Sequence, residues 1–270
     1  MGIPEGRGDM QVYLINLDRH TQRLARMEKE LQGVAFKRVA AVDGKTVPGS
    51  EHRDPSLPAD AGRISKFDRA CTWSHRVVWR EFLAGTEQFA CVLEDDIHVS
   101  PDFGRFIGDE SWIPAGCDLL KIETAMHKVF MERARRPALD RSLAVLRSQH
   151  FGTAGYIVSR KGAEDLLRRA EEVDRSADRL VFNEEALRRH HPVYQLIPAL
   201  CVQGARIRDG IVIPEMESSV QPPVPLPEVK TLLRKIKAEV TRPLQQLAAL
   251  PKTLSKRLRW RESWTVIPFA

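Results

Sequence analysis

The alternation of apolar and polar positions along the chain predicts an ordered series of short strands and helices. Gln11 to Leu17 reads as a buried first strand, and Arg19 to Leu31 has helical spacing, with Leu24, Met27 and Leu31 on one stripe. A second strand is expected through Phe36 to Val42, stopped by the turn pair Asp43-Gly44. Strand, helix and strand in close succession form a βαβ unit. The pattern therefore predicts an α/β domain with a mostly parallel central sheet flanked by helices. Residues 46–62 are rich in Pro, Gly and Asp and read as an exposed loop. Cys71 to Phe82 then predicts a helix with Trp73, Val77, Val78 and Phe82 on its apolar face.

Phe89 to Leu93 is a short, fully apolar strand that ends in Glu94-Asp95-Asp96, and another apolar run, Asp118 to Ile122, ends at Glu123. Gly155 to Ser159 reads as a strand, and Lys161 to Glu172 as a helix with Ala163, Leu166, Leu167 and Ala170 inward. A helix is expected at Leu180 to Arg189 and a strand around Val193 to Ile197. The Pro-rich stretch 221–227 closes this domain. The expected organisation is a flexible N-terminus over 1–10, one folded domain over 11–220, and a Pro-rich linker with a basic amphipathic tail over 221–270. No repeat of solenoid length is visible.

Composition changes this picture mainly through charge. The net charge of +6 is unevenly placed: Lys230 to Arg261 carries ten Lys or Arg against one acid, which leaves the rest of the chain mildly acidic. Within the tail, Val229, Leu232, Leu233, Ile236 and Val240 recur at helical spacing among the basic residues. Such a helix suits an anionic membrane surface, with packing on the chain's own domain or a solvated charge run as the alternatives. The closing Trp264 to Phe269 is apolar enough to dock on the body or in lipid. No apolar stretch approaches the ~20 residues that span a bilayer, and the polar, Gly-rich start does not read as a signal peptide. The four cysteines are dispersed and lack zinc-site spacing, as expected for reduced thiols in a cytoplasmic protein. With an acidic body and no helix-turn-helix, RNA-recognition or zinc motif, nucleic acid is not an expected partner.

The triplet Glu94-Asp95-Asp96 is the most informative candidate. Ligands of open α/β sheets bind at the carboxyl ends of the strands. In extended chain, residues two apart point the same way, so Glu94 and Asp96 could share one cation. Oxygen donors suit Mn²⁺ or Mg²⁺. A solvated acidic turn is the alternative.

Several segments in order resemble glycosyltransferase family 25, especially the lipooligosaccharide galactosyltransferases of Gram-negative bacteria. They are VYLINLDRHTQRLARM, ACTWSHRVVW with its Cys-x-x-Ser-His helix, VLEDDIHV, HFGTAGYIVSRKGAEDLL, PVYQLIPALCVQ and the closing WTVIPFA. The resemblance implies a single GT-A-type domain with the nucleotide-sugar at the first half of the sheet. Asn16, Leu17, Arg19, Arg23 and Asp43 would then lie by the nucleotide, joined as donor-binding residues by Ser74, His75, Glu94 and Asp95. Glu94 and Asp96 would hold the metal. His75 has a structural role as its alternative, and Arg19 and Arg23 a solvated helix face.

The resemblance also implies inversion at the anomeric carbon, which requires one carboxylate to take the proton of the acceptor hydroxyl. Asp178 is the first candidate base, with helix N-cap or donor contact as alternatives. Glu123 is the second, with a surface pair to Lys121 or Lys128 as its alternative. His150, Gly152 and Thr153 are expected to shape the acceptor cleft. One departure concerns Asp178: where relatives begin this helix with Val-Asp after a His-Pro pair, this chain has Ala177-Asp178 after Arg-Ser. The activity implied is transfer of a hexose from a UDP-sugar, with galactose favoured and glucose or a GDP-sugar as alternatives. The acceptor would be a lipid-linked, lipopolysaccharide-type glycan at the inner face of the cytoplasmic membrane. A non-catalytic, membrane-associated sugar-nucleotide-binding protein is the remaining alternative.

Overall fold

The computed structural model describes residues 10–49, 52–53, 63–172, 175–182, 192–206 and 262–270. In chain order the elements are β1 (Gln11–Asn16), α1 (Thr21–Glu30), β2 (Phe36–Ala40), β3 (His52–Arg53), β4 (Arg63–Ile64), α2 (Lys66–Ala84), β5 (Phe89–Glu94) and β6 (Ile97–Val99). They continue with α3 (Phe103–Ile107), β7 (Leu119–Lys121), β8 (Glu123–Thr124), β9 (Lys128–Glu132), β10 (Arg136–Ala138), β11 (Arg141–Val145) and β12 (Gly155–Ser159). The last are α4 (Arg160–Glu172), α5 (Ala177–Phe182), β13 (Val193–Ile197), β14 (Cys201–Gln203) and β15 (Glu262–Val266).

Eight strands form the central sheet in the order β10-β11-β13-β7-β12-β5-β1-β2. The expected parallel sheet is present in the first half, where β1 pairs in parallel with both β2 and β5. Further out the sheet is mixed. β12 runs antiparallel to β5 and to β7, β13 is parallel to β7, and β11 is antiparallel to its two neighbours. These directions decide what reaches the carboxyl edge of β1 and β5. The antiparallel β12 brings its start there, with Gly155 opposite Leu93, while Lys121 at the end of β7 and Gln195 of the parallel β13 sit in register beside it.

Alternating side chains divide the core between the two faces of the sheet. Val12 and Leu14 of β1 pack with Met27, Leu31, Leu93 and Phe106, while Tyr13 and Ile15 pack with Val78, Trp79, Phe82, Val92 and Tyr156. α2 starts at Lys66 rather than Cys71, because Ser65 and Asp68 form a reciprocal capping box that satisfies two end donors. Its inward face also differs from the apolar stripe expected. Ser74, His75, Val78, Trp79 and Phe82 are buried, whereas Trp73 and Val77 are only partly so. Thr72, Ser74 and His75 occupy buried positions there, and a reading by hydropathy alone rotates the helix away from them.

In the loop expected over 46–62, Val47 is buried and β3 pairs with β4; residues 50–51 and 54–62 lie outside the described set. α5 begins earlier than the helix expected from Leu180, and 183–189 lie outside the described residues. So do 1–9 and the basic stretch to residue 261. The closing segment is described, and it docks on the body. β15 pairs antiparallel with β9, and Ala199 bridges Phe269. Among the described residues no helix is long and apolar enough to cross a membrane.

Candidate active site

The acidic triplet lies at the carboxyl end of β5, against the loop that leads from β1 into α1. Glu94 is the last residue of β5, and Asp95-Asp96 form the turn into β6. The extended-chain argument for Glu94 and Asp96 pointing the same way therefore does not apply. Both nevertheless line one open cleft, together with Leu17, Arg19, His20, Arg23, Cys71, Ser74 and His75.

The three carboxylates have three different environments. Asp95 is a structural anchor: it accepts from Asn16 Nδ2 at 2.7 Å and from Arg23 Nη1 at 3.0 Å, and its carbonyl accepts from Arg26 Nη2 at 2.7 Å. Glu94 Oε1 accepts from Thr153 Oγ1 at 2.9 Å and lies 3.3 Å from His75 Nε2. Burial pushes the Glu94 carboxyl up, but the hydrogen bonds from His75 and Thr153 and the nearby charge outweigh it and hold it below the usual range. Among the described residues, the Asp96 carboxylate has only a long contact, from Gln203 Nε2 at 3.5 Å. Burial, then the Glu94 and Asp95 charges, push its carboxyl up to about 7.

His75 ends a buried hydrogen-bond chain. Trp79 Nε1 donates to the Tyr156 oxygen at 2.8 Å, and that hydroxyl lies 3.0 Å from His75 Nδ1. With the Tyr156 hydrogen aimed at Nδ1, the imidazole carries its proton on Nε2, towards Glu94. Ser74 serves the wall of the cleft. Its hydroxyl accepts from the Val42 amide at 2.9 Å and donates to the Ala70 carbonyl at 2.8 Å, tying the end of β2 to α2. Cys71 lies one turn before His75 on the cleft, its thiol pushed well up by burial and then by the Glu94 and Asp178 charges. Arg19 is paired with Asp43 at the rim. The Asp43 carboxyl is held low by the Lys45 amide first, then by Arg19.

The structure separates the remaining candidates. Asp178 sits in the first turn of α5 rather than at its N-cap, and its Oδ1 accepts from Ser176 Oγ at 2.7 Å and from the Arg179 amide at 2.8 Å. Glu123 pairs with Lys121, but in the core rather than on the surface: both side chains are 0% exposed, with Nζ 2.9 Å from Oε2. Burial raises the Glu123 carboxyl, and it is not presented to solvent. His150 is likewise enclosed. Its Nε2 accepts from the Ala125 amide at 3.1 Å and its Nδ1 faces Gln195 Oε1 at 2.7 Å. Of His150, Gly152 and Thr153, only Thr153 bonds to the acidic cluster; the Gly152 carbonyl accepts from Lys121 Nζ at 2.5 Å.

His20 and Arg26 belong to this region and are not singled out by sequence, and Cys71 appears there only as the first residue of the Cys-x-x-Ser-His motif, with no role assigned. The arginine is legible only as one of several on α1, and His20 only by its place between a strand and a helix. For a divalent cation the donor chemistry fits at Glu94 and Asp96, which face the cleft as oxygen donors, with Asp96 short of compensating charge. Asp95 is consumed by Asn16 and Arg23.

A mixed α/β domain with such a cleft at its switch from strand to helix is a ligand-binding architecture in general terms. Sequence comparison narrows it. The profile of glycosyltransferase family 25 (LPS biosynthesis protein) matches residues 9–181. The chain belongs to glycosyltransferase family 25. It is similar to the lacto-N-neotetraose biosynthesis glycosyltransferase LgtE of Neisseria meningitidis, 31% identical over 52% of this chain and 54% of that protein. It is also similar to the lipooligosaccharide biosynthesis protein lex-1 of Haemophilus influenzae, 25% identical over 68% of this chain and 66% of that one. To lic2B of Haemophilus influenzae it is 22% identical, over 91% and 93%. The chain thus spans about half the length of LgtE and about two thirds of lex-1. Among solved structures, a glycosyltransferase involved in glycosylation of the major capsid of PBCV-1 overlaps 73% of this chain and 94% of that one, at 12% identity and a TM-score of 0.38.

Proposed function

We propose that this protein is an inverting glycosyltransferase of GT-A type. It moves a hexose, galactose favoured, from a UDP-sugar to a lipopolysaccharide- or lipooligosaccharide-type acceptor at the inner face of the cytoplasmic membrane. The observation that carries the reading is the acidic cleft at the carboxyl edge of β1 and β5, in a chain of this family whose relatives are named for lipooligosaccharide and lacto-N-neotetraose biosynthesis.

Leu17, Arg19 and Arg23 flank the start of α1, where the positive end of the helix and the arginines favour a diphosphate. Glu94 and Asp96 would hold Mn²⁺ or Mg²⁺, which neutralises charge on the leaving diphosphate when bound. Asp95, fixed by Asn16 and Arg23, holds the turn that presents them. Asp178 is the proposed base: among the described residues, both of its hydrogen bonds go to Oδ1, which leaves Oδ2 to take the proton of the acceptor hydroxyl.

The test is donor binding and slow hydrolysis by the purified chain, across UDP- and GDP-sugars with Mn²⁺, Mg²⁺ or EDTA. Binding of one donor, dependent on metal and lost in Asp96→Ala, is the expected result. Asp178→Asn should keep that binding and lose at least roughly 100-fold in transfer. Absence of binding to every donor under every metal condition would rule the reading out.

A further inference from the structure

Cys71 and His75 stand one helical turn apart on α2, a spacing that stacks their side chains on one face of the helix. Glu94 meets them from the end of β5. The Cys71 sulfur, a ring nitrogen of His75 and a carboxylate oxygen of Glu94 all lie within 4.8 Å of one another. We propose that Cys71, His75 and Glu94 form a site for a thiophilic divalent cation of the zinc class, with its fourth position open to the cleft.

Three observations support the site. First, His75 Nε2 and Glu94 Oε1 are 3.3 Å apart. That matches the edge, about 3.3 Å, of a tetrahedron built on metal–ligand bonds of about 2.0 Å. Second, the imidazole is oriented before any ion arrives: Nδ1 lies 3.0 Å from the Tyr156 hydroxyl, itself held by Trp79 Nε1 at 2.8 Å. A partner of this kind on the far nitrogen is what fixes a ligating histidine. Third, Cys71, His75 and Glu94 all line the same open cleft, which leaves room for a further ligand.

The donor set separates this site from the oxygen pair at Glu94 and Asp96. A thiolate with an imidazole prefers zinc or cadmium to magnesium, which prefers carboxylate and water. The Cys71 thiol proton leaves to solvent. The imidazole proton moves from Nε2 to Nδ1, and the Tyr156 hydroxyl turns its own hydrogen away, so that its oxygen accepts from Nδ1 as well as from Trp79 Nε1. The site does not depend on the transfer reaction, so its test reads metal binding alone.

The experiment is titration of the metal-free full chain with Co²⁺, followed by displacement with Zn²⁺. One equivalent of Co²⁺ should produce a sulfur-to-cobalt charge-transfer band, bleached by one equivalent of Zn²⁺. The other cysteines, Cys91, Cys117 and Cys201, are buried. A thiolate band from the folded protein therefore reports Cys71, and Cys117→Ala should retain it. Cys71→Ser should abolish the band and weaken Zn²⁺ binding by roughly 100-fold. Glu94→Gln, which keeps the thiol, should weaken it by at least about tenfold, a check that stands if the serine variant folds poorly by circular dichroism. A wild-type chain with no band, a band that survives Cys71→Ser, or Zn²⁺ affinity unchanged in Glu94→Gln would each overturn the site.

Discussion

Asp96 is a carboxylate whose environment opposes its charge. Its carboxyl titrates near 7 in the fold because burial and the Glu94 and Asp95 charges disfavour the anion. In the unfolded chain it titrates near ~3.9. A raised carboxyl binds more protons folded than unfolded, so its ionisation opposes folding. The penalty is absent below about pH 4, grows through the window to about 7 and is complete above it. In EDTA at pH 8, Asp96→Asn should therefore raise the free energy of unfolding by about 2–4 kcal/mol, with little change at pH 4. Urea denaturation at the two pH values measures this, and equal effects at both would show the carboxyl is not held up by its surroundings. The sequence made Glu94, Asp95 and Asp96 visible as a group but not their division of labour. Their partners are Asn16, Arg23, Thr153, His75 and Gln203, and only folding brings these together.

β7 and β8 meet the loop into β12 through one buried polar knot. Lys121 Nζ bonds Glu123 Oε2 and the Gly152 carbonyl and lies 4.4 Å over the Phe182 ring, while the Ala154 amide donates to Glu123 Oε2 at 3.1 Å. That knot sets where Thr153 meets Glu94. Lys121→Met would leave Glu123 buried without its counter-charge and should cost about 3–5 kcal/mol. The double variant Lys121→Met with Glu123→Gln should recover most of that loss in denaturant unfolding, and a double variant as unstable as the single would argue against the ion pair as the cause. Gly152 tolerates no side chain, since its φ is +94° and an added Cβ would stand 2.5 Å from Glu123 Oε1. Gly152→Ala should lower stability by at least about 1 kcal/mol and weaken the Thr153 contact. β1, β12 and β13 were legible from their apolar runs, with β12 and β13 bounded as expected. The antiparallel direction of β12 was not, because a run fully buried on both faces reads the same in either direction. Glu123 looked like a group at the edge of a strand because Lys121, its partner two residues earlier, is charged, and charge in sequence does not reveal burial.

The closing residues join elements that are far apart in the chain. β15 lies on β9, with Ile267 fully buried, and the Ile267 carbonyl accepts from Thr124 Oγ1 at 2.7 Å. The Pro268 carbonyl accepts from the Ala199 amide at 2.8 Å, and the Ala270 carbonyl from Arg141 Nη2 at 2.8 Å. Sequence alone left this segment a choice between body and lipid, since apolar residues suit either; the strand partner and the buried Arg141 are what decide it. Thr124 follows Glu123, so the same contacts brace β8 and, through Glu123, the knot beneath Thr153. Removing residues 262–270 should then cost more than one surface strand. Burial of Ile267 alone is worth about 2–5 kcal/mol against alanine, and the lost Ile267 carbonyl leaves the buried Thr124 hydroxyl without its acceptor. Ile267→Ala should lower the unfolding free energy by that amount, whereas Trp264→Ala and Val266→Ala, at 55% and 40% exposed, should cost about 1 kcal/mol or less. If the segment braces the site, the truncated chain should also lose affinity for whichever donor the intact protein binds. A truncated chain that melts at the unchanged temperature would show instead that the body closes its core without this strand.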